Sequence, residues 1–173
     1  MLQNYYDINK KDKFEQLFGG LYIGSHPTPE RNSYLILKLN FSVVAAGLDD
    51  YQRGLDSTCA IQFYGFCARY KKYLPEGAAE RVMACKGCID QLEAICRECE
   101  DAGQYFYLFI DEYDHFTNKI LSEPNCLNDY KSEAHGTGYL RNFFDTIKAG
   151  TDTAIKRVFV TGVSPVTLDD LTS

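Results

Sequence analysis

The sequence lacks several features that would assign it to a common class of protein. It has no apolar run of about 18 residues, so we expect no membrane span and no membrane partner. Positive charge is in the minority, because 18 lysines and arginines stand against 24 acidic residues for a net charge of -6. A dedicated nucleic-acid-binding module would carry the opposite balance, so direct nucleic-acid binding is not expected. The N-terminus has neither the apolar core of a signal peptide nor the Arg/Ser bias of a transit peptide, which predicts a cytoplasmic protein.

The residues that are present are typical of a globular domain. Hydrophobic residues make up 45 % of the 173 residues and charged residues 24 %, and the aromatic side chains are 13 tyrosines and 11 phenylalanines without a tryptophan. This composition excludes a disordered chain and suffices for a sizeable core. We therefore predict a single domain over residues 1–173.

Seven cysteines raise the question of a metal site. Four of them are spaced as Cys85-x2-Cys88-x7-Cys96-x2-Cys99, which resembles two metal-binding pairs. Residues 78–102, however, show the 3–4 spacing of apolar residues that is typical of a helix, and on one helix Cys85 and Cys96 lie about 16 Å apart. Four thiolates so arranged do not converge on one zinc ion, whose Zn–S bonds are about 2.3 Å. We predict reduced, buried thiols on one stripe of this helix and disfavour a metal-binding or redox protein.

The rest of the chain alternates between strand and helix patterns. The predicted elements are a weakly helical segment 1–18, strand 34–41, helix 48–74, helix 78–102, strand 105–110, loop 117–135, helix 138–148 and strand 157–161. The two long helices together, residues 48–102, are predicted to form a helical hairpin. This order of strands and helices predicts an α/β fold with a mostly parallel sheet.

The most informative motif is a strand that ends in two acids. The apolar residues 107–110 lead into Asp111 and Glu112, which is the Walker B pattern of P-loop NTPases. The buried strand holds the backbone rigidly, and its carboxyl end opens on the crevice where α/β proteins bind ligands. There the first carboxylate can hold Mg²⁺, and the second can orient or deprotonate an attacking water. Acids that simply end a strand in solvent are the alternative explanation.

A polar residue at the end of the last strand supports the same interpretation. Thr161 ends the strand in the segment VFVTGVSP. If this strand neighbours the one before it, Thr161 lies beside Asp111, at the sensor position of AAA-type ATPases. A threonine that only ends a strand before a turn is the alternative.

Four segments together resemble the bacterial AAA-ATPase-like family. They are FEQLFGGLYI (14–23), YLILKLNFS (34–42), YLFIDEYDHFTN (107–118) and RVFVTGVSPVTLDDLTS (157–173). The resemblance spans nearly the whole chain and implies a partial P-loop NTPase-like three-layer fold, with the hairpin 48–102 as an insertion. It also implies ATP and Mg²⁺ as cofactors, with Asp111 as the metal-associated acid, Glu112 as the water-polarising acid and Thr161 as the sensor-like residue.

The sequence departs from this family in one respect that matters for activity. It contains no G-x-x-x-x-G-K-[ST] phosphate loop and no Gly-Lys dipeptide. In family members the loop lies just before the segment that resembles residues 1–7, so we expect a chain truncated at both ends, and relatives often continue into a PD-(D/E)XK nuclease-like domain. Because loop amides and the lysine provide most of the phosphate affinity, we expect no cofactor on this chain alone, and ATP hydrolysis only in a longer parent chain.

The first strand of such a fold would also be missing, and in the family it lies beside the strand that ends in the sensor residue. Residues 157–161 are then expected to present an unpaired edge. We expect this edge to be covered by self-association, by a swapped element or by a nearby loop.

Two further functions remain open alternatives. Residues 111–114, with the sequence DEYD, fit the D-E-x-D signature of superfamily-two helicases, although the acidic balance and the missing phosphate loop disfavour a helicase. A non-catalytic interaction domain that binds a partner through the hairpin 48–102 is the main alternative to an ATPase.

Overall fold

The structure, a computed structural model, describes residues 1–43, 51–114 and 135–162. The first residues of the predicted helix 48–74 lie outside the described residues. So do all but the last residue of the predicted loop 117–135, and the parts of the family segments that cover 115–118 and 163–173.

The described chain begins with short helices and continues with strands separated by longer helices. The elements are α1 (Leu2–Tyr6), a 3-10 helix (Ile8–Lys13), α2 (Phe14–Phe18), α3 (Tyr22–Ser25), β1 (Leu35–Asn40), a second 3-10 helix (Phe41–Val43), α4 (Tyr51–Arg69), α5 (Ala78–Ala84), α6 (Gly87–Asp101), β2 (Phe106–Asp111), α7 (His135–Gly150) and β3 (Ile155–Val160). The three predicted strands and the last predicted helix are confirmed, with boundaries that differ by up to three residues.

The three strands form one parallel sheet in the order β1-β2-β3. The central strand β2 is an unbroken run of apolar and aromatic residues up to its last position, as expected for a strand covered on both faces. The last residues of β1 and β2 are directly opposite each other, because Asn40 pairs with Asp111. Ile110 likewise pairs with Val160 of β3. The mixed α/β fold class with a parallel open sheet is confirmed.

A layer formed by α4, α6 and α7 covers one face of the sheet. Alternate strand residues point into this layer, and they are almost completely buried: Leu35, Leu37, Leu39, Phe106, Leu108 and Ile110. The ring of Phe66 in α4 lies 5.7 Å from that of Phe106. Burial of each such side chain stabilises the fold by roughly 1.5–3 kcal/mol, so this layer is the core.

The N-terminal residues cover the start of the opposite face. The ring of Tyr6 lies 5.2 Å from that of Tyr107 and 6.0 Å from that of Tyr34. Asp7 forms a parallel bridge with Tyr34, and its Oδ1 atom accepts a hydrogen bond of 3.0 Å from the hydroxyl of Tyr70. The N-terminal segment is thereby tied both to β1 and to the helical layer.

The helix predicted over 48–74 ends earlier than expected. Its last helical residue is Arg69, and the amide of Tyr73 then donates to the carbonyl of Tyr70 at 2.8 Å, a bond over three residues that tightens the chain into a turn. The predicted stop at Pro75 therefore lies several residues beyond the helix itself. No helix among the described residues is long and apolar enough to span a membrane.

The single helix predicted over 78–102 is wrong, because the structure has two helices there. Cys85 has an extended backbone, and Gly87 has a φ of 80°, a left-handed value that glycine adopts without strain. Oδ1 of Asp56 in α4 accepts a hydrogen bond of 2.7 Å from the amide of Cys88, and so satisfies one of the free donors at the start of α6. The four cysteines of this region therefore do not form one stripe of one helix.

The prediction that the thiols are free and buried is confirmed for most described cysteines. Cys85 is half-buried, and the other described cysteines are buried: Cys59, Cys67, Cys88, Cys96 and Cys99. Within the described ranges, no group of three or more metal-ligating side chains could hold a metal ion. These thiols accordingly behave as small apolar core residues.

The last strand, β3, is at one end of the sheet among the described strands. Only its first residue, Ile155, is buried, whereas Val158 is 38 % exposed and Phe159 is 42 % exposed. This agrees with the expected open edge. Cover of that edge by self-association, by a swapped element or by a nearby loop stays a prediction.

Candidate functional site

The candidate site lies where the three parallel strands end. Asp111 is the last residue of β2, Glu112 follows it, and Thr161 follows the last residue of β3. Lys38 of β1 reaches the same place with its side chain. We call these four residues the strand-end site. In open α/β sheets, the crevice outside the carboxyl ends of the strands is where ligands bind.

Asp111 and Thr161 are in direct contact, as their predicted adjacency requires. The hydroxyl of Thr161 donates a hydrogen bond of 2.7 Å to Oδ1 of Asp111. The backbone fixes this arrangement, because the Thr161 amide donates to the carbonyl of Ile110 at 2.8 Å, and the Tyr113 amide donates to the carbonyl of Thr161 at 3.2 Å. The metal-binding and sensor roles of the two side chains stay predictions.

Lys38 is the site residue that the sequence interpretation missed. Its Nζ lies 3.2 Å from Oδ2 of Asp111, and both side chains are 42 % exposed. Lys38 stands opposite Phe109 in the sheet register, two pairs before Asn40 and Asp111. A lysine within the apolar strand YLILKLN is the signal that could have found it, because a charged residue in a buried parallel strand needs a partner.

The carboxyl group of Asp111 is held in its charged form by these two neighbours. The pKa of Asp111 lies below its usual value because the Thr161 hydroxyl and then the Lys38 ammonium interact with the carboxylate. Each carboxylate oxygen has its own partner, Oδ1 with Thr161 and Oδ2 with Lys38.

Glu112 marks the point at which the chain leaves the sheet. Its φ is 54°, so this non-glycine residue adopts the left-handed conformation, and its side chain is exposed. Such a conformation costs about 1–3 kcal/mol and persists only where the surroundings impose it, which is common at functional sites. The turn places a solvent-accessible carboxylate directly after the partly buried carboxylate of Asp111.

A glycine allows the ends of β2 and β3 to come this close. A Cβ atom on Gly162 would lie 2.5 Å from the ring of Tyr113 and 2.6 Å from Oδ1 of Asp114, distances that real contacts do not reach. Any other residue at position 162 would therefore push apart the segments after Asp111 and Thr161. The sequence does not predict this close approach at Gly162, because the approach depends on the pairing of two distant strands.

A groove of about 620 Å³ lies beside Lys38, between β1 and α4. Lys38 and Asn40 line it from the strand, and Gln62 and Arg69 line it from the helix. The side-chain amide of Gln62 pairs with the backbone of Asn40, at 2.8 Å to its N–H and 3.4 Å to its carbonyl. The outer edge of β1 is thus covered next to the site, and the Lys38 side chain borders an open space.

The donor atoms of the strand-end site suit a hard divalent cation. A carboxylate from Asp111 and a hydroxyl from Thr161 are oxygen ligands of the kind that Mg²⁺ prefers, and Mg²⁺ is commonly bound through one or two carboxylates plus water and phosphate. Because Lys38 already contacts Oδ2 of Asp111, a cation at that oxygen would have to displace the ammonium. The residues therefore fit Mg²⁺ once Lys38 has moved.

The geometry defines an α/β protein with acidic and hydroxyl side chains gathered at the carboxyl ends of parallel strands. A family model described as Predicted AAA-ATPase matches residues 1–172, and the chain belongs to this AAA-ATPase-like family. Comparison with curated proteins and with solved structures gave no match.

Proposed function

We propose that the chain is the carboxylate-bearing part of an AAA-type ATPase. The observation that carries this proposal is the Asp111–Thr161 contact, in which two neighbouring strands bring a carboxylate and a hydroxyl together at 2.7 Å. Membership of the AAA-ATPase-like family supports it over the whole matched length. A helicase and a partner-binding hairpin have no comparable support from the described contacts.

The proposed mechanism divides the work between the two acids. Asp111 would hold the Mg²⁺ ion, which would neutralise phosphate charge, and this is the role that the Walker B pattern predicts for the first acid. Glu112, exposed and one residue further along, orients or deprotonates the attacking water. Thr161 keeps the Asp111 carboxylate oriented and presents its own hydroxyl to the same space.

Phosphate binding needs a part that this sequence does not contain. No Gly-Lys dipeptide occurs among the 173 residues, so no Walker A lysine follows a glycine-rich loop. Backbone amides at a helix N-terminus and that lysine normally supply most of the affinity for a polyanion. We therefore propose that ATP binding and hydrolysis occur only in a longer parent chain that includes a phosphate loop.

The test compares this chain with a longer one that includes a phosphate loop, using thermal unfolding in Mg-ATP. A ligand at 100 times its dissociation constant stabilises a protein by about 2.7 kcal/mol, so binding is readily visible. We expect a clear upward shift for the longer chain and no shift for the 173 residues alone. A shift for the short chain would contradict the requirement for a phosphate loop.

Hydrolysis by the longer chain then tests the assignment of the acids. Glu112→Gln should retain the Mg-ATP thermal shift but slow hydrolysis by about 100-fold or more, because general base catalysis contributes that much. Glu100→Gln, an exposed acid in α6, is the matched control and should leave the rate unchanged. Hydrolysis at the normal rate in Glu112→Gln would refute the proposed role.

A further inference from the structure

Lys38 occupies an unusual place for a lysine. The other residues from Tyr34 to Leu39 are buried, whereas the Lys38 side chain is 42 % exposed. Lys38 is two positions before Asn40, so the two side chains are on the same face of the sheet. Asn40 pairs with Asp111, and Asp111 is therefore on that face as well. The strand therefore delivers one ammonium group to the site where a cation is expected.

The ammonium already interacts with the atom that a divalent cation would use. Oδ1 of Asp111 accepts the Thr161 hydroxyl, and Oδ2 faces Nζ of Lys38 at 3.2 Å. A metal ion beside Oδ2 and the ammonium cannot share that position, since both carry positive charge and both need the same lone pairs. Cation binding and the Lys38 contact thus exclude each other.

We propose that Lys38 is a positioning residue that acts as the resident counter-ion of Asp111 and competes with the divalent cation for it. This inference rests on the proposed function, because it concerns the metal site of the ATPase. With no metal bound, Lys38 holds the Asp111 carboxylate oriented through its contact with Oδ2. When the cation binds, the ammonium leaves Oδ2.

The surroundings make this exchange feasible. The pair is exposed on both sides, so the released ammonium is solvated at once and carries no burial penalty. The groove beside β1 gives the flexible lysine side chain an open space, lined by Asn40 and Gln62, into which it can turn. Because exposed ion pairs are weak, we expect Lys38 to lower the affinity for the cation only modestly.

The test measures binding of Mn²⁺ alone to the longer chain that includes a phosphate loop. Electron paramagnetic resonance follows it, because the free ion gives the signal and the bound ion loses it. Lys38→Met keeps the length of the side chain but removes its charge, and we expect it to bind Mn²⁺ about fivefold more tightly than the unchanged chain. Asp111→Asn should lose the site in both backgrounds.

Lys156→Met is the matched control for net charge. Lys156 lies at the start of β3, at the other end of the strands, where its ammonium contacts the ring of Tyr105. The Lys156→Met substitution removes the same charge at a position that does not contact Asp111. The Mn²⁺ affinity of this variant should therefore equal that of the unchanged chain. Equal gains in Lys38→Met and Lys156→Met would overturn the proposal, because the effect would then come from overall charge.

The remaining outcomes separate the two proposals. If Asp111→Asn abolishes binding but Lys38→Met binds no more tightly than the unchanged chain, the metal site stands and the role of Lys38 is refuted. If neither the unchanged chain nor Lys38→Met binds Mn²⁺ in a way that depends on Asp111, the metal site of the proposed function fails, and the role of Lys38 fails with it.

Discussion

The hydrogen bond from Thr161 to Asp111 lowers the pKa of the carboxyl group in the strand-end site. Thr161→Val keeps the shape of the side chain but removes the hydroxyl that donates to Oδ1 at 2.7 Å. Since this bond is the largest cause of the lowered pKa of Asp111, we expect the pKa to rise toward its usual value of about 3.9. A titration of the Asp111 carboxyl carbon by nuclear magnetic resonance measures it directly.

Thr161→Ser is the control for this prediction, because it keeps a hydroxyl and should keep the pKa of Asp111 low. The same shift has a consequence for stability. A carboxyl whose pKa is lowered in the folded state stabilises it above the usual pKa, and this contribution is lost as the pH falls through the folded value. The loss of folding stability as the pH falls should therefore be smaller in Thr161→Val. An unchanged pKa in that variant would show that the hydroxyl does not act on Asp111.

Single residues of the site were predictable from the sequence where a contiguous motif or the expected strand order indicated them. The motif that ends in Asp111 is contiguous, and the adjacency of Thr161 followed from the expected strand order. Lys38 and Gly162 were not found, because their contacts depend on which residues face each other across the sheet. That register is set by side chains far apart in the chain, and no short pattern records it.

At the scale of elements, one carboxylate connects three helices. Asp56 of α4 accepts hydrogen bonds at Oδ1 from the amide of Cys88 in α6, at 2.7 Å, and from the hydroxyl of Tyr139 in α7, at 2.6 Å. Asp56→Ala would leave both donors without this partner, so we expect it to lower the free energy of unfolding by about 1–3 kcal/mol. Urea unfolding followed by circular dichroism measures the loss.

Two variants make this test specific. Tyr139→Phe removes one of the two hydrogen bonds and should destabilise by about 1 kcal/mol, less than Asp56→Ala. Asp152→Ala changes an exposed aspartate after α7 and should leave the stability within about 0.5 kcal/mol. If Asp56→Ala were as stable as the unchanged chain, the proposed contribution of the two Asp56 hydrogen bonds to stability would be refuted.

The same contact explains why the helix prediction failed. The apolar spacing over 78–102 continues across the break, so a periodicity count gives one helix where there are two. The break is accompanied by a hydrogen bond from the Cys88 amide to Asp56, about thirty positions earlier, and by the left-handed backbone of Gly87. A helix boundary set by tertiary contact is not encoded in the local pattern.

At the scale of the whole molecule, the core contains thiols that burial keeps protonated. Burial raises the pKa of Cys67 to about 11 and that of Cys96 to about 12, and it raises the pKa of Cys99 as well. In the unfolded chain each thiol has a pKa of about 8.5. Above that pH the unfolded state loses protons that the folded state keeps, so stability falls as the pH rises.

We therefore expect the free energy of unfolding to be constant up to about pH 8 and to fall by at least about 2 kcal/mol by pH 10, since each thiol contributes up to about 1.4 kcal/mol per pH unit. Urea unfolding in a reducing buffer at several pH values measures the slope of the free energy of unfolding against pH.

Cys67→Ala removes one buried thiol and should make this slope shallower, whatever its effect on stability at pH 7. A slope that Cys67→Ala does not alter would mean that the alkaline loss of stability comes from other groups.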